Sequence, residues 1–422
     1  MKDKTRITRL GFVTDEAFNY FIQILVTTTF LGYILSAVGI DEALQGIINT
    51  LTTICMSAQL LSPLLAGRRV KRIVTVGMLV AHLSFAAIYL IPISALPKGW
   101  TPVVLVLLLV IGNAVNNAVQ PSRLLWFISF VDKNKLGRFT AVKEIISLLG
   151  GIVISLGFGV VADAYRMENG NPKPEYYIIC FVALLLMTAV NTVALIASDE
   201  KDPLVSHSGK TGPGFLSVLK NSAVLKIIGL DLLWYFAYTF SVSFYPSYLR
   251  EDLGFSFTVM TLISTVSLAA RIFVSPIMGK LADKYSFKTS LAVAFLFQAI
   301  AFLGAVFAFP GNMKWFYLIY AVFSGFAMAG VNSGLLNIVC SYVPYEQQAT
   351  AIGLKAAVGG AVGLAVSLLS GAMFAFIQKN GGVQMLGVCF SAQQIQSAIS
   401  FAIIVVMLIY MRTVMKNIEQ AK

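Results

Sequence analysis

The feature that most constrains this chain is the recurrence of apolar runs about 20 residues long. A helix of roughly 20 apolar residues has the length needed to cross the hydrocarbon core of a bilayer. The 422 residues are 58% hydrophobic and only 12% charged, whereas soluble domains usually carry about 25% charged residues. The sequence therefore predicts an all-α polytopic membrane protein.

Twelve such runs are present, and most connections between them are short. The exception is the polar segment 198–222, which contains glycine and proline and divides the chain into nearly equal halves. We predict a six-helix bundle over residues 1–198, a cytoplasmic central loop over 199–222 and a second six-helix bundle over 223–422. The predicted spans are 12–36, 43–66, 71–95, 101–130, 138–163, 176–197, 223–247, 256–281, 288–309, 315–341, 346–377 and 391–413.

The basic residues predict the orientation of these spans. Lysine and arginine concentrate in the cytoplasmic loops of membrane proteins. With the N-terminus inside, most of the 31 lysines and arginines fall on the inner side. The sequence therefore predicts a protein of the cytoplasmic (inner) membrane with both termini in the cytoplasm. The net charge of +12 then needs no nucleic-acid partner to explain it.

No residue pattern points to a cofactor, a metal or a disulfide. The four cysteines have no paired spacing, and the two histidines, His82 and His207, are far apart. The chain contains no HExxH, GxSxG or GxxxxGK[ST] pattern. We therefore expect no cofactor, no metal, no enzymatic activity and no direct use of ATP, in a chain that acts as a monomer. A membrane-embedded enzyme and a channel are the poorer alternatives to a transporter.

Short patterns recur in the two halves at offsets of 209–216 residues. Each match alone is weak, but together they indicate a duplicated six-helix unit. Parallel repeats of this kind build transporters whose halves rock about a central site. The matching pairs are Leu61-Ser62-Pro63 with Val274-Ser275-Pro276, Asp15 with Asp231, Lys143 with Lys355, and Gly150-Gly151 with Gly359-Gly360.

The segment 275–289, SPIMGKLADKYSFKT, places a glycine and four charges between two apolar runs. Gly279 permits close approach of two helices. Asp283 is expected to lie near the positive N-terminus of a neighbouring helix and to pair with a cation, which makes a latch able to break and reform. Lys284 and Lys288 would hold the loop at the inner surface. The alternative is an ordinary basic inner loop.

This segment resembles the loop signature of the major facilitator superfamily, Gly-x-x-x-Asp-Arg/Lys-x-Gly-x-Arg/Lys, with Ser286 in place of the second glycine. The corresponding loop of the first half, SPLLAGRRVKR at residues 62–72, has no acid. The resemblance implies two pseudo-symmetric six-helix bundles and secondary active transport by alternating access, with proton coupling. It also implies a central cavity lined largely by spans 1, 4, 7 and 10, with spans 5, 8 and 11 contributing.

Two cations inside the second half suggest a substrate site. Arg271 and Lys355 each lie about ten residues from the inner end of a span, which is roughly 15 Å deep. Ionisable residues at this depth usually face a cavity or a partner. They predict a site for an anion such as a carboxylate. The alternative is that each pairs with an acid, with Asp231 the candidate for one of them.

The first half also contains intramembrane charges. Arg123 and Glu144 are expected to form an ion pair, and Lys143 must point roughly 100° away from Glu144 around the helix. Asp15, Glu16, Glu144 and Asp231 are the candidates for proton coupling. For Asp15 and Glu16 we favour a simpler role as acids at the start of a helix.

Polar and aromatic side chains complete the predicted cavity. Amide side chains on one face of span 4 must face inward, because lipid would leave them without partners. Trp234, Tyr238 and Tyr245 share a face of span 7, which either lines the cavity or makes ordinary lipid contacts and interface belts. The predicted amide lining consists of Asn113, Asn116, Asn117 and Gln120 on span 4, Asn19 and Gln23 on span 1, and Asn332 on span 10.

Two cargo classes remain open from the sequence. A small organic anion fits Arg271, Lys355 and the amide face, with Arg123 as a further candidate for contact. Efflux of amphipathic or drug-like compounds fits the aromatic span 7. Span 5 has Gly150-Gly151 and Gly157-x-Gly159 but lacks the proline of the Gly-Pro-x-x-Gly-Gly pattern carried by many proton-coupled exporters.

Overall fold

The structure is a computed structural model. It describes residues 2–26, 28–40, 48, 54–65, 69–97, 99–165, 172–200, 215–243, 245, 248–249, 253–255, 257–309, 311–385, 387–416 and 418. Residues 43–47, 49–53 and 66 of predicted span 43–66 and most of the central loop 199–222 lie outside the described residues.

The described residues are almost wholly helical. Short 3₁₀ turns lie at Cys55–Leu61, Ile91–Ile93 and Lys133–Lys135, and one antiparallel hairpin pairs Val383 with Phe390. The elements are α1 Lys2–Leu25, α2 Thr28–Ala37, α3 Ser62–Leu65, α4 Val70–Ile88, α5 Thr101–Ile128, α6 Leu136–Ala164, α7 Pro174–Ala197, α8 Phe215–Leu219, α9 Ser222–Val242, α10 Phe257–Lys284, α11 Phe287–Val306, α12 Met313–Tyr342, α13 Tyr345–Lys379, β1 Val383–Met385, β2 Val388–Phe390 and α14 Ala392–Thr413.

Ten helices in the described part of the chain are long and apolar enough to cross a membrane, and they match the third to twelfth predicted spans. The largest boundary difference is in the third span, where α4 ends at Ile88 instead of residue 95. A 3₁₀ turn with Pro92 at its start follows, and proline lacks the N–H that a continuing helix would use.

Helix α1 is not among these ten because charged side chains interrupt its apolar face. It begins at Lys2, ten residues before the predicted span, and carries Arg9, Asp15 and Glu16. The first predicted span, 12–36, therefore corresponds to the second half of α1 together with α2.

The chain divides into two compact units. The first comprises Met1–Lys133, Lys143–Gly214 and Ile352–Ala357, and the second comprises Asn134–Val142, Phe215–Ala351 and Val358–Lys422. Helix α6 thus contributes its first residues to the second unit, and α13 contributes a short segment to the first.

The same pattern of helix packing occurs in both units. In the first, α4 packs on α5, α1 on α7 and α4 on α7; in the second, α11 packs on α12, α9 on α14 and α11 on α14. The 3₁₀ turn Cys55–Leu61 packs on α5 as α10 packs on α12. These are the same pairs of positions within a six-helix unit, so the predicted two pseudo-symmetric bundles are confirmed.

Glycine–aromatic contacts repeat in the same way. A Cβ at Gly151 of α6 would lie 2.5 Å from the Tyr20 ring of α1, and one at Gly359 of α13 would lie 2.5 Å from the Tyr235 ring of α9. These two glycines therefore let a helix and an aromatic ring of its neighbour pack closely. Gly157 and Gly159 have no described atom within 4 Å of a Cβ position.

Candidate functional site

A buried group of four ionisable side chains, the α1 charge cluster, lies within the first unit. It consists of Asp15 and Glu16 on α1, Arg123 on α5 and Lys143 on α6. Arg123 Nε donates to Asp15 Oδ2 at 2.7 Å, and Arg123 Nη2 donates to Glu16 Oε2 at 2.8 Å. Lys143 Nζ lies 3.2 Å from Glu16 Oε1. One guanidinium therefore joins two carboxylates, and the second carboxylate joins two cations.

The four members differ in exposure. The side chains of Asp15 and Arg123 are 0% and 1% exposed, whereas those of Glu16 and Lys143 are 28% and 11% exposed. Two formal negative charges balance two formal positive charges, as the high cost of an unpaired charge in the membrane requires. Within the cluster, Glu16 is the more exposed carboxylate.

Neutral side chains fix the buried half of the cluster. Asn191 of α7 donates to the Asp15 carboxylate at 2.9 Å and to the Asp15 carbonyl at 3.0 Å. Arg123 Nη1 donates to Gln120 Oε1 at 3.0 Å, and its guanidinium carbon lies 5.2 Å from the centre of the Phe127 ring. Asp15 and Arg123 are thus held from several helices, and such side chains move only when their helices move.

The cluster corrects two sequence-based expectations. Asp15 and Glu16 do not cap a helix, because α1 begins at Lys2 and both acids lie in its middle. The acids on Arg123 are these two, where the sequence suggested Glu144. The signal missed was the direction of Lys143, which points away from Glu144 and therefore towards another helix. Nothing in the sequence indicated Asn191 as a partner.

The predicted amide face of α5 is present, but some of its amides hydrogen-bond to backbone carbonyls of the same helix. Asn113 donates to Leu109 O and Asn117 donates to Asn113 O, each at 2.9 Å along the same helix. Gln59 Nε2 donates to Asn117 Oδ1 at 3.1 Å. Asn116 Oδ1 is buried and has no hydrogen-bond partner in the described part of the chain. Of the amides on α5, Asn116 therefore has a buried acceptor that the described residues leave unsatisfied.

On α1, Asn19 lies one turn after Asp15 and faces α4. Its Oδ1 is 3.2 Å from His82 Nε2, and His82 is fully buried. Gln23 lies one further turn along α1 and is half-buried. The histidine that the sequence left without a role therefore contacts one of the predicted lining residues.

The two cations of the predicted anion site belong to different units. Arg271 is half-buried in the second unit. Lys355 is 9% exposed and belongs to the α13 segment that clusters with the first unit. Asp231 is 1% exposed and packs against Gly359, while Asn332 of α12 is exposed.

The aromatic residues of span 7 take part in packing within the second unit. Trp234 stacks on Tyr238 at 5.2 Å and on Phe295 of α11 at 5.6 Å between ring centres. Tyr245 packs against Tyr317 and Tyr320 of α12 at 5.4 and 4.8 Å. Trp234 and Tyr245 thus contact aromatic rings on other helices of the second unit.

Asp283 sits at the N-terminus of α6. Its carboxylate accepts hydrogen bonds from Gly137 N at 2.7 Å and Arg138 N at 3.0 Å, and Arg138 Nε lies 3.6 Å away. The first N–H groups of a helix have no partner within the helix and carry its positive pole. A Cβ at Gly279 would lie 2.7 Å from Gly137 O, so α10 and α6 approach here almost backbone to backbone.

The two lysines of the same motif have separate contacts. Lys284 Nζ lies 5.1 Å from the ring centre of Tyr285. Lys288 Nζ donates to Met415 O at 2.8 Å, just beyond the end of α14. A cation at this position satisfies carbonyls at the negative end of a helix, so Lys288 ties α11 to α14 within the second unit.

The sequence profile of the Major Facilitator Superfamily matches residues 17–368 and 232–419. The chain belongs to the Major Facilitator Superfamily. It is therefore a multi-pass membrane transporter of small solutes and not an enzyme, as predicted. No curated protein matches the chain at a significant level.

Solved structures of this superfamily share the fold at low sequence identity. The proton:xylose symporter XylE bound to 6-bromo-6-deoxy-D-glucose aligns with a TM-score of 0.72 and 13% identity, over 100% of this chain and 97% of that one. A bacterial homologue of the iron transporter ferroportin, in an outward-facing state, aligns with a TM-score of 0.70 and 12% identity, over 98% and 99%. The fucose:proton symporter FucP of E. coli aligns at 0.67 and 12%, over 96% and 97%.

Proposed function

We propose that this Major Facilitator Superfamily protein is a proton-coupled secondary active transporter of a small organic anion. It would act as a monomer in the cytoplasmic membrane, with both termini inside, and would work by alternating access. The observation that carries the anion assignment is the presence of Arg271 and Lys355 within membrane-spanning helices, half-buried and 9% exposed. A cation is retained at such depth at a high cost, and it usually marks the path of a substrate or ion.

Proton coupling is proposed on the α1 charge cluster. Glu16 is the more exposed of the two acids in this cluster, and it contacts both Arg123 and Lys143. A proton on Glu16 would weaken both ion pairs and leave the cluster with one excess positive charge. Asp231 in α9 is the second candidate. The proton symporters XylE and FucP share this fold, which is consistent with a proton as the coupling ion.

The Asp283 contact is proposed as the inner latch of the cycle. It combines charge with two backbone N–H donors, which makes each hydrogen bond stronger than a neutral one. The first half carries no acid in its corresponding loop, so the latch would act on one side only.

Efflux of amphipathic compounds receives less support. Its basis was the aromatic face of span 7, and the rings of Trp234 and Tyr245 are engaged with Phe295, Tyr317 and Tyr320. The amide side chains of α5, among them Asn116 with its unsatisfied Oδ1, fit a hydrophilic cargo better.

A thermal-stability screen of the detergent-purified protein tests the cargo class. Carboxylates, sugars, amino acids and lipophilic cations would be added separately, since a bound ligand raises the melting temperature by mass action. We expect carboxylates to stabilise the wild type but not Arg271→Gln or Lys355→Gln, with partial retention in Arg271→Lys and Lys355→Arg. Stabilisation by carboxylates that survives in both glutamine variants would exclude these two cations as the anion site.

A further inference from the structure

A ring of hydrogen bonds joins three helices near the start of α14. Gln393 Nε2 donates to Ser241 O and Oγ of α9 at 2.8 and 3.1 Å. Gln396 Nε2 donates to Ser370 O and Oγ of α13 at 2.9 and 2.8 Å. Ser370 Oγ donates to Phe240 O at 2.6 Å, which closes the ring through α9. The four side chains are between 0% and 1% exposed.

Three oxygens beside this ring have no partner among the described residues: Gln393 Oε1, Gln396 Oε1 and Ser400 Oγ. Gln393, Gln396 and Ser400 follow one another at spacings of three and four, so they occupy one face of α14. Their residues are all 0% exposed. A buried acceptor without a partner costs roughly 1–3 kcal/mol, and three on one helix face therefore require an occupant that satisfies them together.

The orientation of both amides follows from their contacts. Each Nε2 lies against a backbone carbonyl, which can only accept, so the other amide atom of each glutamine is an oxygen. In the neighbouring Gln394, by contrast, both amide atoms have hydrogen-bond partners. Its Oε1 accepts from Ser391 N at 2.8 Å, and its Nε2 donates to Val306 O and Ala308 O at 3.0 Å.

Ser400 also lacks the partners that other helical serines have. Several donate to the carbonyl four residues earlier, as Ser147 does to Lys143 O at 3.0 Å and Ser275 to Arg271 O at 2.8 Å, and others, such as Ser370 and Ser397, bond to a neighbouring helix. Ser400 makes neither kind of bond within the described structure. Its hydroxyl oxygen therefore remains unsatisfied on the same face of α14 as the two amide oxygens.

We propose that this face of α14 forms a buried binding site for a monovalent cation such as Na⁺, with Gln393 Oε1, Gln396 Oε1 and Ser400 Oγ as ligands. Amide and hydroxyl oxygens are hard ligands that suit such ions. A divalent ion would call for carboxylates, and the residues of the ring and the three ligands include none.

The C-terminus of α9 favours positive charge at this position, whereas the N-terminus of α14 favours negative charge. Helix α9 ends at Val242, so the carbonyls of Phe240 and Ser241 lie at its negative pole. The opposing N-terminus of α14 has a capping box, in which Ser391 and Gln394 satisfy free N–H groups. The site is formed by α9, α13 and α14, and the proposal does not depend on the nature of the cargo.

The test is thermal unfolding of the full-length protein in detergent, in NaCl, KCl or choline chloride at equal ionic strength. We expect the wild-type melting temperature to rise saturably with Na⁺ or K⁺ and not with choline, which is too large for the site. Ser400→Ala removes one ligand and leaves the ring intact. It should need roughly 10- to 100-fold more cation for the same shift, by analogy with losses at other metal sites.

Ser397→Ala is the matched control. Ser397 is also 0% exposed, but its hydroxyl is bonded to Ser241 Oγ at 3.0 Å, so this variant should be less stable yet respond to cations normally. Gln396→Met provides a second ligand deletion of similar shape. A wild-type melting temperature equal in all three salts would mean that the cluster holds water only and would overturn the proposal. An undiminished cation response in both Ser400→Ala and Gln396→Met would also overturn it.

Discussion

Arg123 and Asp15 form an ion pair of 2.7 Å between α5 and α1, with at most 1% of either side chain exposed. The two residues are 108 positions apart in the sequence, and Asn191 of α7 holds the same carboxylate. The pair and Asn191 therefore join three helices of the first unit. Arg123 also contacts Glu16, the more exposed acid of the cluster.

Removal of Arg123 is expected to be the most destabilising single change in the first unit. Arg123→Leu would leave Asp15 buried without its cation, and breaking a buried pair from one side costs about 3–5 kcal/mol. The melting temperature in detergent should fall sharply. Arg123→Lys should recover part of the loss, because it keeps the charge but not the two-pronged geometry. An unchanged melting temperature for Arg123→Leu would contradict the buried ion pair.

Glu16→Gln is expected to fold but to uncouple transport from the proton. The glutamine oxygen can still accept from Arg123, while the group that binds and releases a proton is gone. Substrate exchange across proteoliposomes should persist, and accumulation driven by a pH gradient should be lost. Glu175→Gln, at the exposed start of α7, is the control. If Glu16→Gln still accumulates substrate against a gradient, Glu16 is not the coupling site.

Asp283→Ala is expected to weaken the contact between α10 and the N-terminus of α6. Loss of a capping carboxylate costs roughly 0.5–2 kcal/mol, so the inner ends of these helices should separate more often. Spin labels at positions 138 and 284 would report this as a shift towards longer distances. Lys280→Gln, an exposed change on the same helix, should leave the distances unchanged. An identical distribution in Asp283→Ala would show that the carboxylate is not a latch.

Glycine substitutions distinguish packed from open positions on α6 and α13. Gly151→Val and Gly359→Val would force side-chain atoms into the Tyr20 and Tyr235 rings, and overpacking costs typically 1–3 kcal/mol. Gly157→Ala has open space around it and should be neutral by melting temperature. Equal effects at Gly157 and Gly151 would contradict the described packing of α6 on α1.

The sequence by itself determined the membrane-spanning architecture. A run of about 20 apolar residues forms a helix in a bilayer, because a helix satisfies every backbone polar group within the segment. Ten spans therefore lie close to their predicted positions, and the duplication predicted from short repeats appears as repeated helix pairs. The loop around Asp283 also pointed to the superfamily from the sequence, because the residues of its motif are close together in the chain.

Tertiary structure alone decided which side chains meet. Helical periodicity fixes the face on which Arg123 or Lys143 lies, but it does not say which helix faces it, so the partners Asp15, Glu16 and Asn191 emerged only from packing. The ring around Gln393 and Gln396 has the same origin, since it joins α9 to α13 and α14, which lie 130 to 152 positions later in the chain. Hydrophobicity selects the spans one at a time, whereas buried polar contacts depend on the arrangement of all of them.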